Sequence, residues 1–231
     1  MARILCVLTG ASYWTLKDGH RHPTGYWAEE FVAPYSAFKE AGHEITVATP
    51  GGVVPVIDVM SLQPRMAGGE ENALAETAVI ESAEELRHPV PLKDVRLEDY
   101  DAVYYPGGHG PMEDLAVDAD SGMLLRRALA SGKPLGIVCH APAALLATRD
   151  EYGKTPFADY RMTGFCNEEE EGVGFAAKAK WLLEDELKKL PVDYSRGPAW
   201  ESYTVNDRNL YTGQNPASSA ALAQEIIKVL S

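Results

Sequence analysis

The chain has 231 residues, 45% of them hydrophobic, and a formal net charge of −13 at pH 7. That length and apolar content suffice to bury one large α/β core, so a single domain over residues 1–231 is expected. The acidic balance repels phosphate backbones and anionic lipid, and no apolar run approaches the ~20 residues of a membrane span, which argues against nucleic-acid and membrane partners.

A small neutral or cationic partner is easier to accommodate. Met1 to Gly10 lacks the basic region and cleavage site of a secretion signal, so a cytoplasmic protein is expected.

Ala2 to Leu8, "ARILCVL", is a continuous apolar run closed by the turn-forming "TGAS", the pattern of a buried parallel strand. The segment "TGYWAEEFVAPYSAFKEAG" then predicts a helix stopping at Gly42, followed by a strand from Glu44 to Thr49. On that helix Trp27, Phe31, Pro34 or Tyr35 and Phe38 form the apolar stripe, and Glu29, Ala33, Ser36 and Glu40 the solvated face.

Glu30 lies at the stripe's edge, four residues before Pro34. Proline has no N–H for the Glu30 carbonyl, so the helix is loosened there and a half-buried carboxyl group is expected. Burial raises a carboxyl pKa and suits it to moving protons near neutral pH. Residues 51–81 have weak periodicity and are read as irregular, forming a lid or a dimer contact.

"YDAVYYPGGHGPM" predicts a third strand entering a glycine-rich turn, "DSGMLLRRALASGKP" a helix, and "LGIVC" a fourth strand. Alternating strands and helices imply a doubly wound, mostly parallel sheet whose ligands bind beyond the carboxyl ends of the strands, where Gly107, Gly108 and Cys139 fall. Helices are further predicted at Glu168–Phe175, Trp181–Leu190 and Ala217–Leu230, with a hairpin turning near Asn206 and Asp207.

Three cysteines far apart, Cys6, Cys139 and Cys166, make neither a disulfide framework nor a zinc spacing. Cys6 lies mid-strand and Cys166 in a loop, where structural roles suffice. Cys139 sits where a strand meets a helix, and a helix N-terminus or a neighbouring imidazole lowers a thiol pKa from about 8.5. The alternative is a small buried hydrophobe, which His140 alongside disfavours.

The amides of "PGGHG" are placed to form an oxyanion hole, in which one donor contributes on the order of 3 kcal/mol, or else a plain tight turn. In "GFCNEEEEG", Asn167 is expected to cap a short helix whose first-turn acids are solvated. One acid of Glu168 to Glu171 is free to turn inward and hold His140 in its working tautomer; spacing does not say which. His20 and His22 have a His-x-His spacing without acidic or cysteine partners, so no metal site is expected.

With "TGYWAEEFVAPYSAF", "PGGHGPMEDL", "GIVCHAPAAL", "TGFCNEEE" and "TVNDRNLYTGQNPASS" in view, the chain resembles the DJ-1/PfpI superfamily. Within it the chain looks like the branch of heat-shock-protein-31-like chaperones and glutathione-independent glyoxalases III. The resemblance implies a flavodoxin-like α/β sandwich, commonly dimeric, with a nucleophile elbow.

Position by position it implies Cys139 as nucleophile and His140 as its triad histidine. It further implies Glu30 as the proton-transferring acid, Glu170 as the acid orienting His140, and Gly107 and Gly108 as backbone donors. Cys166 departs from the threonine or other small polar residue expected there.

The implied activity converts methylglyoxal and related 2-oxoaldehydes to 2-hydroxy acids through a cysteine hemithioacetal, with no metal, nucleotide or glutathione cofactor. A cysteine peptidase or deglycase-type hydrolase, and a stress chaperone or redox sensor, are the alternatives on the same fold.

Overall fold

The computed structural model describes residues 1–231. Strand β1 (Arg3–Val7) is buried along four of its five residues, as its unbroken apolar run requires. A short hairpin that the sequence did not reveal follows, β2 (Tyr13–Thr15) and β3 (Arg21–Pro23), paired antiparallel.

Helix α1 (Ala28–Glu40) ends where expected: Gly42 takes φ +78° and the His43 N–H bonds the Phe38 carbonyl at 2.9 Å, closing the helix as a Schellman turn. Strand β4 (Glu44–Thr49) follows and pairs parallel with β1.

The segment expected to be irregular over 51–81 contains a regular helix, α2 (Glu70–Ser82). Only Ala73 of it is buried, so no apolar stripe marks it in the sequence. The chain continues through β5 (Val90–Pro91), β6 (Ala102–Tyr105), α3 (Ala119–Ser131) and β7 (Leu135–Val138).

After β7 the expected α-helix is instead a 3-10 stretch over Ala141–Thr148 with Pro142 at its start. Beyond it lie β8 (Arg161–Met162), α4 (Asn167–Gly172), α5 (Leu183–Lys189), β9 (Asp193–Tyr194), β10 (Thr204–Asp207), β11 (Leu210–Gly213) and α6 (Ser219–Leu230). The last hairpin turns at Arg208 and Asn209, two residues after the predicted point, with Arg208 at φ +55°.

The main sheet has seven strands in the order β10-β11-β7-β6-β1-β4-β5, and only the β10–β11 pairing is antiparallel. With its flanking helices this is the expected flavodoxin-like α/β fold. Parallel pairing of β6 and β7 sets their carboxyl ends side by side, which brings the turn after β6 against the turn after β7. No helix is long and apolar enough to cross a membrane.

Candidate active site

Cys139 follows the last residue of β7 and has φ +60°, a left-handed conformation that costs a non-glycine residue roughly 1–3 kcal/mol. Its backbone is held on both sides: its N–H donates to the Gly213 carbonyl at 2.9 Å, and its carbonyl accepts from the Phe165 N–H at 2.9 Å. This is the elbow read from the strand end.

The side chain is only 3% exposed, and it lines a narrow chamber of about 20 Å³. That is room for roughly one water molecule. Beyond lies a vestibule of about 510 Å³, and Trp27, Met60, Met66, Val173, Trp200 and Pro216 line both spaces.

Glu30, in the first turn of α1, is fully buried rather than half-buried. Its Oε2 accepts the Gly107 N–H at 2.7 Å, and its Oε1 has no hydrogen-bond partner. The Gly107 amide is therefore committed to Glu30 and not to an oxyanion, which corrects the expected role of that glycine.

Gly107 is also required for space, because a Cβ there would lie 2.8 Å from Glu30 Oε2 and 2.7 Å from the Val138 carbonyl. Gly108, at φ +89°, lines the chamber beside Cys139, and its backbone N–H works against the rise of the thiol pKa. Glu29, expected to be solvated, is half-buried and lines the vestibule.

Burial pushes Glu30 up to about 8, with hydrogen bonds from Cys139 and Gly107 opposing the shift. The Cys139 thiol is pushed up as well, by burial first and by the Glu30 charge second. The thiolate is thus not favoured by a helix N-terminus as expected; the apolar chamber outweighs it. Both groups are thus held toward their neutral forms, and the charge of either one opposes ionisation of the other.

His140 lies between Cys139 and α4. Its Nδ1 is 3.3 Å from Cys139 Sγ and its Nε2 2.7 Å from Glu170 Oε2. The other oxygen of Glu170 is 2.8 Å from His109 Nε2. Burial opposes ionisation of Glu170, yet the two imidazoles reverse this and hold it well below the usual carboxylate range.

An ionised Glu170 accepts an N–H from each ring, which leaves Nδ1 of His140 as an acceptor facing the sulfur. His140 itself is lowered, by burial first and then by His109.

His109 is the third side chain of this cluster. It comes from the same "PGGHG" turn, stacks on Trp14 at 4.5 Å with 15° between planes, and keeps a buried Nδ1 without a partner. The ligand atoms of His109, His140 and Glu170 lie within 4.8 Å of one another, close enough to hold a metal ion. His22 of the His-x-His pair packs on Phe175 at 4.5 Å instead of joining them.

Two of the four consecutive glutamates turn inward, not one. Glu169 is fully buried beside Glu170: its Oε1 accepts from Trp200 N at 2.9 Å, Gln214 Nε2 at 3.1 Å and Asn215 Nδ2 at 2.8 Å, and its Oε2 from Cys166 N at 3.0 Å. That last bond makes Cys166, and not Asn167, the residue capping α4.

The model of the DJ-1/PfpI family matches residues 24–229. The chain belongs to the DJ-1/PfpI family. Among curated relatives, the protein/nucleic acid deglycase HchA of Staphylococcus aureus is 28% identical over 233 residues, covering 96% of this chain and 77% of the relative.

Among solved structures, the 24 kDa Rapid Encystment Protein of Francisella tularensis superposes with a TM-score of 0.85 at 29% identity, covering 100% of both chains. Glyoxalase III of Candida albicans superposes with a TM-score of 0.81 at 24% identity, over 98% of this chain and 96% of that one.

Proposed function

We propose that this DJ-1/PfpI protein is a glyoxalase of the glutathione-independent type, turning methylglyoxal and related 2-oxoaldehydes into 2-hydroxy acids. The observation that carries the reading is the free Oε1 of a fully buried Glu30, raised to about 8, on the side chain next to Cys139. A carboxyl group so placed takes and returns protons at a carbon bound to that sulfur.

The Cys139 thiol adds to the aldehyde carbon and its proton goes to the new alkoxide, giving a hemithioacetal whose oxygen rests on the Gly108 amide. Glu30 as carboxylate removes the C–H proton, and the electron pair forms an enediolate with the neighbouring carbonyl, whose oxygen takes the proton of the hemithioacetal hydroxyl. Returning the proton to that second carbon leaves a 2-hydroxy thioester. Water, deprotonated through His140 and Glu170, cleaves the thioester to the 2-hydroxy acid and free thiol. No electrons leave the substrate and water, so no redox partner is needed.

A second reading is a deglycase-type hydrolase. The S. aureus relative is named a deglycase, and an acyl-enzyme at Cys139 served by His140 and Glu170 suits hydrolysis of an adduct equally well. Product analysis separates the two. Purified reduced protein is given methylglyoxal alone, and formation of lactate that disappears in Cys139→Ala supports the first reading. Absence of lactate, with release of free amine from a methylglyoxal-treated peptide, supports the second.

A further inference from the structure

The wall between the chamber and the vestibule carries one large ring on a strained backbone. Trp200 has φ +66°, a conformation seldom tolerated by a bulky side chain, and Glu169 accepts its N–H at 2.9 Å. A fully buried carboxylate bound by four N–H donors is a firm anchor, and it holds the loop in this unfavourable shape.

The indole meets Phe165 edge-on at 5.7 Å, and Phe165 lies beside His140 at 4.3 Å. On its other side the ring lies over Gly172, where a Cβ would stand 3.1 Å from it. Gly172 thus leaves room for the edge of the indole.

The residues common to both spaces differ in how readily they give way. Met60 and Met66 are unbranched and adapt their shape to a guest. Trp27 is 7% exposed and packed into the start of α1, so it stays in place. Trp200 is 44% exposed and reaches from solvent to the chamber. A methyl group entering the chamber needs only the methionines to shift. A planar ring needs the indole gone.

We propose that Trp200 is the specificity-determining gate of the Cys139 chamber, admitting 2-oxoaldehydes with a hydrogen or methyl substituent and excluding those with an aryl group. For the identity of the aldehyde this rests on the function proposed above; for the gate itself it does not. Glu169 is the positioning residue that holds the gate shut.

The test reads access to the sulfur directly. Rates of alkylation at Cys139 by iodoacetamide and by N-phenylmaleimide are measured by peptide mass mapping, which separates Cys139 from Cys6 and Cys166. In the wild type the ratio of phenylmaleimide to iodoacetamide rates is expected to be about tenfold or more lower in the folded protein than in urea. Equal ratios overturn the gate whatever any variant does.

Trp200→Gly removes the ring at a φ that glycine adopts freely, so the loop keeps its path. It is expected to raise that ratio about tenfold and to shift kcat/KM from methylglyoxal toward phenylglyoxal. Trp200→Phe, which keeps most of the bulk and the same backbone strain, is expected to stay near the wild type. An unchanged ratio in Trp200→Gly, or an equal rise in Trp200→Phe, overturns the proposal. Absence of aldehyde turnover in the wild type, with the alkylation ratios as expected, refutes the proposed function and leaves the gate standing.

Discussion

The hydroxyl of Tyr104 donates to the backbone carbonyl of Glu30 at 3.1 Å, filling the place that Pro34 leaves vacant in α1. The proline is thus tolerated inside a helix because a strand residue supplies the missing donor, and the carboxyl group of the same glutamate is set toward Cys139. Tyr104→Phe leaves a buried carbonyl unpaired. It is expected to lower stability by about 1–3 kcal/mol in urea unfolding, and to lower kcat more than it raises KM.

Glu30 makes stability depend on pH in a calculable direction. Its folded pKa of about 8 lies above the ordinary value of 4.5, so between these pH values the native state holds a proton that the unfolded state has released. The contribution is fully present below pH 4.5 and is lost as pH rises through about 8.

A fall in unfolding free energy is expected from pH 5 to 9, and Glu30→Gln is expected to flatten it. The same variant is expected to lose roughly 10²- to 10⁴-fold in turnover, the usual size of a general acid–base contribution. Its Cys139 should alkylate at lower pH than in the wild type, because the Glu30 charge that raises the thiol is gone.

His109 shares Glu170 with His140 and lowers the pKa of its neighbour. His109→Phe keeps a flat ring against Trp14 but removes that influence. His140 then takes a proton at higher pH, and the acid limb of the kcat/KM profile is expected to move upward. An acid limb that stays in place in His109→Phe would show that His109 only fills space.

Glu169→Ala strands four N–H groups, those of Cys166, Trp200, Gln214 and Asn215, in a buried place. A loss of about 3–5 kcal/mol in urea unfolding is expected, on the scale of breaking a buried charged network. Glu169→Gln, which keeps the acceptor on Oε1, is expected to recover most of it.

The strands and the Cys139 elbow were legible because apolar runs of four or more residues and a small set of turn residues leave few other readings. Glu30 was legible through Pro34, four residues on, although its full burial was not: that comes from β6 and the Gly107 turn closing over it. Helix α2 was missed because it buries only Ala73 and so prints no periodicity.

The second inward glutamate was invisible for another reason. Nothing in a run of four identical acids says which ones Trp200, Gln214 and Asn215 come back from distant loops to meet. The thiol pKa was read in the wrong direction because a strand end suggests helix N–H groups, whereas the degree of burial is a property of the assembled chamber.

The size of that chamber also sets how oxidants reach the resting sulfur. A space of about 20 Å³ admits hydrogen peroxide, little larger than the water it replaces, but not a tripeptide thiol or its disulfide. Oxidation at Cys139 is therefore expected to proceed by adding oxygen atoms to the sulfur, and a mixed disulfide with a tripeptide thiol is expected only if the mouth opens.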